Sequence, residues 1–263
     1  MITNIMDMIA DYAEVRVTEK KKTIPLTEIK AAALSMDCDT GFPFEQALSG
    51  DDIGFICECK RASPSKGVIA PEFPYLKIAD DYEKAGAVCI SVLTEPKWFM
   101  GRDEYLREIA AAVSLPCLRK DFTVDEYMIY EAKTLGASAV LLICSLLDCE
   151  TIEKYIDICD GLGLSALVEV HGEDEISVAL KTGARIIGVN NRDLRDFTVD
   201  IHNSERLRKL VPERVLFVAE SGIKTPGDID KLRRADVNGV LIGETLMRAA
   251  DKKAMLNYLR GVK

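Results

Sequence analysis

Apolar residues along this chain gather in short continuous runs rather than in the strict alternation of a half-exposed sheet. Runs from Ile53 to Lys60, Val88 to Leu93, Leu115 to Lys120, Ala139 to Ile143, Ser165 to Val170, Ile186 to Val189, Val215 to Glu220 and Gly239 to Ile242 predict eight strands. Unbroken apolar runs of this length are what parallel strands covered on both faces look like. Three of them follow a Gly-Ala pair, at Gly86-Ala87, Gly136-Ala137 and Gly183-Ala184, and a degenerate copy, Ala235-Asp236, precedes the last. Glycine accepts the left-handed conformation that ends a helix, so each pair reads as a helix stop followed at once by a strand. Helix starts are expected at Thr123-x-x-Glu126, a capping box, and at Thr225-Pro226, a cap residue before a first-turn proline.

Strands alternating with helices imply a parallel sheet with right-handed crossovers. Eight such units predict an α/β fold closed as a (β/α)8 TIM barrel, with an open doubly wound sheet as the alternative. Residues 1–50 form an N-terminal helical extension, with apolar spacing around Ile5, Ile9 and Tyr12. Its position, capping the barrel or covering the mouth, stays open. The domain organisation expected is one TIM-barrel domain over 1–263, the extension packed on it, with no second barrel fused.

The polar residues inside these runs carry the functional signal. In such barrels the chemistry sits at the C-terminal ends of the strands. The first strand ends Cys57-Glu58-Cys59-Lys60, and a period of two puts Glu58 and Lys60 on one face and the cysteines on the other. Others end Leu118-Arg119-Lys120-Asp121, Val168-Glu169-Val170, Val189-Asn190-Asn191-Arg192 and Ala219-Glu220-Ser221. Five apolar strands with Lys, Glu or Asn at the same end point to a functional mouth, because buried charge is costly without a use. Ser221-Gly222-Ile223 after strand seven and Gly243-Glu244-Thr245 after strand eight are glycine loops of the kind that lets backbone N–H groups approach an anion, and barrels often hold phosphate between these two loops. Ser63-Pro64-Ser65-Lys66-Gly67 after strand one has a similar composition.

Composition narrows the reading. A net charge of −9 argues against a nucleic-acid surface, but a pocket can be locally positive on an acidic protein. The basic run Lys20-Lys21-Lys22 is expected to be a solvated face. Nothing in the sequence provides the apolar stretch of about 18 residues that a membrane span needs, nor the start of a secretory signal. The eight cysteines are scattered, with Cys57, Cys59, Cys89, Cys117 and Cys144 in strand-like runs, which suits reduced thiols in a cytoplasmic enzyme. Cys57-Glu58-Cys59 lacks the partners of a zinc site, and no metal is expected.

Taken in order, Glu58-x-Lys60-x-x-Ser63-Pro64-Ser65-x-Gly67, Ser91-Val92-Leu93-Thr94-Glu95, Leu118-Arg119-Lys120-Asp121-Phe122, Leu167-Val168-Glu169-Val170-His171, Gly188-Val189-Asn190-Asn191-Arg192-Asp193-Leu194, Ala219-Glu220-Ser221-Gly222-Ile223 and Leu241-Ile242-Gly243-Glu244 closely resemble the indole-3-glycerol phosphate synthase family of tryptophan biosynthesis. Asp11, Arg16 and Pro25-Leu26 resemble that family's extra helical segment. The loop Glu95–Arg102 departs from the pattern: Trp98 keeps an aromatic, expected to stack on the substrate ring, while Arg102 stands in place of a serine.

The resemblance implies a lyase that acts on 1-(2-carboxyphenylamino)-1-deoxyribulose 5-phosphate, closing a five-membered ring with loss of carbon dioxide and water and using no cofactor. Carried over by motif, Lys120 is the general acid at the carbonyl and Glu169 its acid–base partner. Lys60 anchors the substrate carboxylate, Glu58 orients the lysines, and Asn190 and Ser221 complete the catalytic set. Arg192, Glu220, Phe99, Phe122 and Leu241 would bind the substrate, and Ser63, Gly222, Gly243 and Glu244 its phosphate. Partners are limited to the phosphorylated small molecule, with no nucleic acid or membrane, and the chain is expected as a monomer or weak homodimer. Two rivals remain: a Schiff-base aldolase with Lys120 or Lys60 as nucleophile, and a non-catalytic barrel that binds a phosphorylated metabolite.

Overall fold

The computed structural model describes residues 5–193 and 197–261. Leu194, the end of one family motif, lies outside them. Eight parallel strands close a barrel: β1 Gly54–Cys59, β2 Cys89–Leu93, β3 Cys117–Lys120, β4 Ala139–Ile143, β5 Ser165–Val170, β6 Ile186–Asn190, β7 Leu216–Glu220 and β8 Gly239–Ile242. Each strand pairs with its neighbours in sequence, and β8 returns to β1 with Gly54 opposite Gly239 and Cys57 opposite Ile242. Closure is therefore the outcome, not the open sheet. The predicted runs match β4, β5 and β8, overshoot β1, β2, β3 and β7 by a residue or two, and stop one residue short of the end of β6. Gly86, Gly136 and Gly183 all take the left-handed backbone conformation, and Asp236 in the degenerate copy does the same at φ 56°.

Alternation along the strands divides the interior into two cores. Side chains such as Phe55, Cys57, Cys59, Val168, Val170, Phe217 and Ala219 face the surrounding helices. Ile56, Cys89, Leu118, Leu141, Leu167 and Val218 fill the barrel itself. Because the cysteines of β1 take the outer face, Glu58 is left on the inner one. All eight cysteines are free thiols, five of them buried; Cys144 follows β4 and is partly exposed.

The helices of the N-terminal segment are α1 Ile5–Thr23, α2 Leu26–Leu34 and α3 Pro43–Leu48. They cover both ends of the barrel. Phe44 and Leu48 of α3, both fully buried, join the barrel's own core, and Leu48 fits against Gly239 at the start of β8, where a Cβ would collide with it. Met6 and Ile9 of α1 reach the opposite, C-terminal end. The basic run at the end of α1 is not a freely solvated face. Lys20 bonds Asp103 at 2.5 Å and Glu131 at 2.6 Å, and Lys21 bonds Asp125 at 2.7 Å, so the run clips α1 to the barrel's outer helices; Lys22 alone stays exposed, paired with Glu19.

The barrel helices are α4 Tyr75–Lys84, α5 Asp103–Ala112, α6 Glu126–Thr134, α7 Cys149–Gly161, α8 Glu173–Lys181, α9 His202–Arg208, α10 Pro226–Arg234, α11 Glu244–Arg248 and α12 Lys252–Arg260. Helix α10 has the expected cap: Thr225 and Asp228 form a reciprocal capping box ahead of Pro226. The box expected at Thr123 does not form. Asp125 is the cap residue of α6 and accepts from the Tyr127 N–H at 2.8 Å. A carboxylate two residues nearer the helix takes the role, while Thr123 is buried.

Candidate active site

The strands that end in polar residues converge on one cavity of about 730 Å³ at the C-terminal end of the barrel. Apart from Trp98, every residue assigned to the site from the sequence lies on its wall: Glu58, Lys60 and Ser63 from β1 and its loop, Phe99 after β2, and Lys120 and Phe122 at the end of β3. The far side is formed by Glu169, Asn190, Arg192, Glu220, Ser221, Gly222, Leu241, Gly243 and Glu244.

Lys120 is the electrostatic centre. Its Nζ lies 3.0 Å from Glu169 Oε2 and 3.1 Å from Glu220 Oε2. Burial alone would lower its pKa, yet the charges of Glu169, Glu220 and Glu58 outweigh burial and raise it well above the ordinary lysine value, so Lys120 is an ammonium. For Glu169 burial pulls the other way, and Lys120 with His171 outweighs it and holds the carboxyl below its usual range. Asn190 fixes the second oxygen, donating from Nδ2 to Glu169 Oε1 at 3.3 Å. Glu220 lacks such support. Burial, reinforced by Glu169 and Glu58, outweighs Lys120 and pushes it up to about 7, and its Oε1 has no hydrogen-bond partner. Two carboxylates on one lysine are thus pushed in opposite directions, a pattern suited to acid–base work near neutrality.

Across the cavity Lys60 Nζ sits 2.5 Å from Glu58 Oε2. This contact is close but poorly directed, since that oxygen has no properly oriented donor. The loop after β1 forms a small antiparallel hairpin in which Ser63 pairs with Gly67. Ser221 and Gly222 both have positive φ, 68° and 84°, which turns the loop after β7 sharply over the mouth. The Glu244 carboxylate pairs with Arg248 at 3.1 Å, so at this position the backbone N–H, as the glycine loop suggests, is the group that can serve an anion.

The aromatic wall differs from the sequence reading as well. Phe99 and Phe122 lie 6.5 Å apart and both line the cavity with Leu241. Trp98 does not. It packs edge-on against Tyr12 of α1 at 5.7 Å, with the Lys97 ammonium 4.5 Å above its ring. Glu95 explains the turn: its buried carboxylate accepts the N–H groups of Lys97, Trp98 and Phe99 at 2.7–2.9 Å, which sends Phe99 inward and Trp98 toward α1. Arg102 precedes α5 and lies over Tyr105 at 5.8 Å, away from the substrate cavity.

Several lining residues escaped the sequence reading. Ile5, Met6 and Ile9 close the cavity from α1, and Lys224 and Arg248 bring positive charge to the wall that Lys66 of the expected anion loop also lines. Lys224 and Arg248 follow the two glycine loops within a few residues, which is the signal that would have found them. Asp121 is another. Fully buried, it is held by Arg16 of α1 through bonds of 2.8 and 3.1 Å and by Thr94 at 2.7 Å. His171, just past β5, places Nε2 3.7 Å from Glu169 Oε1 and Nδ1 3.5 Å from Glu175 Oε2.

An acidic (β/α)8 barrel with a lysine–carboxylate cluster beside glycine loops at strands seven and eight has the build of a barrel enzyme for phosphorylated substrates. Residues 6–259 match the family described as Indole-3-glycerol phosphate synthase, and the chain belongs to that family. It is 54% identical to the indole-3-glycerol phosphate synthase of Ruminiclostridium cellulolyticum over 98% of this chain and 99% of the relative, and 49% identical to that of Lachnoclostridium phytofermentans over the same shares. Among solved structures, 3-hexulose-6-phosphate synthase from Salmonella typhimurium has a TM-score of 0.66 at 13% identity, covering 80% of this chain and 97% of that one. KGPDC from Streptococcus mutans has 0.63 at 11%, covering 80% and 97%. These two likenesses concern the barrel alone.

Proposed function

We propose that the cavity closes the indole ring of 1-(2-carboxyphenylamino)-1-deoxyribulose 5-phosphate with Lys120 as the general acid. The observation that supports this most is Lys120 held as an ammonium between Glu169 and Glu220. An ammonium there donates to the substrate ketone as the aromatic carbon attacks it. That assignment also weighs against a Schiff-base aldolase, whose lysine must be neutral to act as a nucleophile. Lys60, opposite, anchors the substrate carboxylate until it leaves as carbon dioxide, with Glu58 fixing its position. Glu169, oriented by Asn190, moves the protons of the dehydration that follows.

The phosphate belongs at the rim, against the backbone of Gly222 and Gly243, Ser63, and the cations Lys224 and Arg248. Phe99, Phe122 and Leu241 then enclose the aromatic ring, and Arg192 and Ser221 complete the polar shell. The substrate is the one partner this reading assigns. No described helix is long and apolar enough to cross a membrane. We expect Lys120→Ala and Glu169→Gln each to lower kcat about a hundredfold or more, the usual scale of acid–base catalysis. Near-normal turnover in either folded variant would remove that residue from the mechanism.

A further inference from the structure

The ring closure has a proton balance that constrains the site. The substrate's carboxylate carries a negative charge, and carbon dioxide, water and the indole product's ring carry none. One proton from solvent must therefore enter per turnover. The main mouth is an awkward route for it while substrate is bound, since the phosphate occupies the rim and Ile5, Met6 and Ile9 lie over the cavity.

A second cavity of about 560 Å³ lies behind Glu169 and shares Met6 and Asn190 with the first. It reaches solvent, because Glu173, Asp174 and Asp200 on its wall are exposed. His171 lines this second cavity and not the first. Its ring spans the partition, with Nδ1 beside Glu175 and the buried, unpartnered Nε2 toward Glu169. The backbone clamps the ring in place: Glu175 Oε2 accepts the His171 N–H at 2.7 Å, and Asn203 of α9 donates to its carbonyl at 3.2 Å.

We infer that His171 is a positioning residue that relays solvent protons from the second cavity to Glu169, an inference that rests on Glu169 being the acid–base group. In the step, the imidazolium passes Nε2–H to the Glu169 carboxylate and keeps Nδ1–H beside Glu175; a proton from water in the second cavity then returns to Nε2 and restores the imidazolium. Nothing is oxidised or reduced, and the proton taken from water replaces the one the product retains. The groups facing the ring suit this traffic. Glu169 and Glu220 lie on the barrel side and Glu175 on α8, and although burial would lower the histidine, Glu175 and Glu169 outweigh it and raise it above the ordinary imidazole value. The ring thus exchanges protons near neutral pH.

The test compares wild type, His171→Gln, His171→Ala and Glu169→Gln by indole formation across pH. For His171→Gln we expect kcat to fall about tenfold with KM changed less than about twofold, the split expected when binding contacts are untouched. The alkaline limb of the kcat profile that follows imidazole deprotonation should disappear, and added imidazole, which the second cavity can admit, should restore turnover in His171→Ala. If Glu169→Gln is inactive while both histidine variants keep wild-type kcat and the wild-type pH profile, the relay is overturned and the acid–base reading stands. If Glu169→Gln is fully active, that reading fails first.

Discussion

A Cβ on Gly243 would run into the Glu58 carboxylate and come within 2.7 Å of the Lys60 ammonium. The glycine that the sequence suggests for phosphate is thus equally a spacer for the carboxylate–lysine pair, and Gly188 does the same for Glu220, whose Oε1 lies 2.5 Å from its would-be Cβ. We expect Gly243→Ala to lower kcat/KM about tenfold or more by displacing those side chains from their working geometry, as steady-state kinetics would reveal; unchanged kinetics would mean that Lys60 and Glu58 reposition freely. At this scale the sequence was informative where strand alternation decides which way a side chain points. Glu58 and Lys60 are legible in that way, and Lys120, Glu169, Asn190 and Glu220 as polar residues at the C-terminal ends of apolar strands. It was uninformative where a carboxylate several residues away redirects a loop, which is why Trp98 was expected on the substrate and is found against Tyr12.

Helix α1 ties the extension to the chemistry. Its Arg16 holds Asp121, which immediately follows Lys120, and its Lys20 and Lys21 hold acidic residues on or next to α5 and α6. For Asp121, burial would raise the carboxyl, but Arg16, then Arg119 and Thr94, outweigh it and lower it below the ordinary value. A lowered carboxyl stabilises the fold above its unfolded pKa of about 4, and that stabilisation is lost as pH falls through the lower folded value. Arg16→Ala removes the nearest positive charge from a buried carboxylate and leaves it Thr94, the Phe122 N–H and the more distant Arg119, which should cost about 3 kcal/mol at neutral pH, the low end for a broken buried pair. Urea unfolding at several pH values would check this, with the deficit narrowing as pH is lowered toward and below about 4. An equal deficit at every pH would assign the loss to packing instead. The amphipathic spacing of this segment predicted a helix but not its place, because nothing local to residues 5–23 encodes the acidic partners that fix it.

At the level of the whole molecule, repetition made the fold readable. Eight apolar runs, four of them fed by a Gly-Ala helix stop or its degenerate copy, leave closure as the arrangement that pairs every strand on both sides. The same closure gathers groups from residues 58 to 244 around one cavity, so that scattered polar positions at strand ends become a single site. The cavity-lining cations Lys224 and Arg248, which we propose for the phosphate, are harder to read, since on an acidic chain surface lysines and arginines carry no mark of where they converge. The second cavity was invisible beforehand, for it exists only where α8, α9 and the loop after β6 meet.

The central claim is that this cavity closes the indole ring by lysine–carboxylate chemistry alone. Its most direct test is to mix the purified, metal-depleted protein with 1-(2-carboxyphenylamino)-1-deoxyribulose 5-phosphate and follow indole fluorescence. The account predicts multiple turnovers to indole-3-glycerol phosphate, with one proton taken up for each carbon dioxide released. A flat trace from folded protein would contradict it.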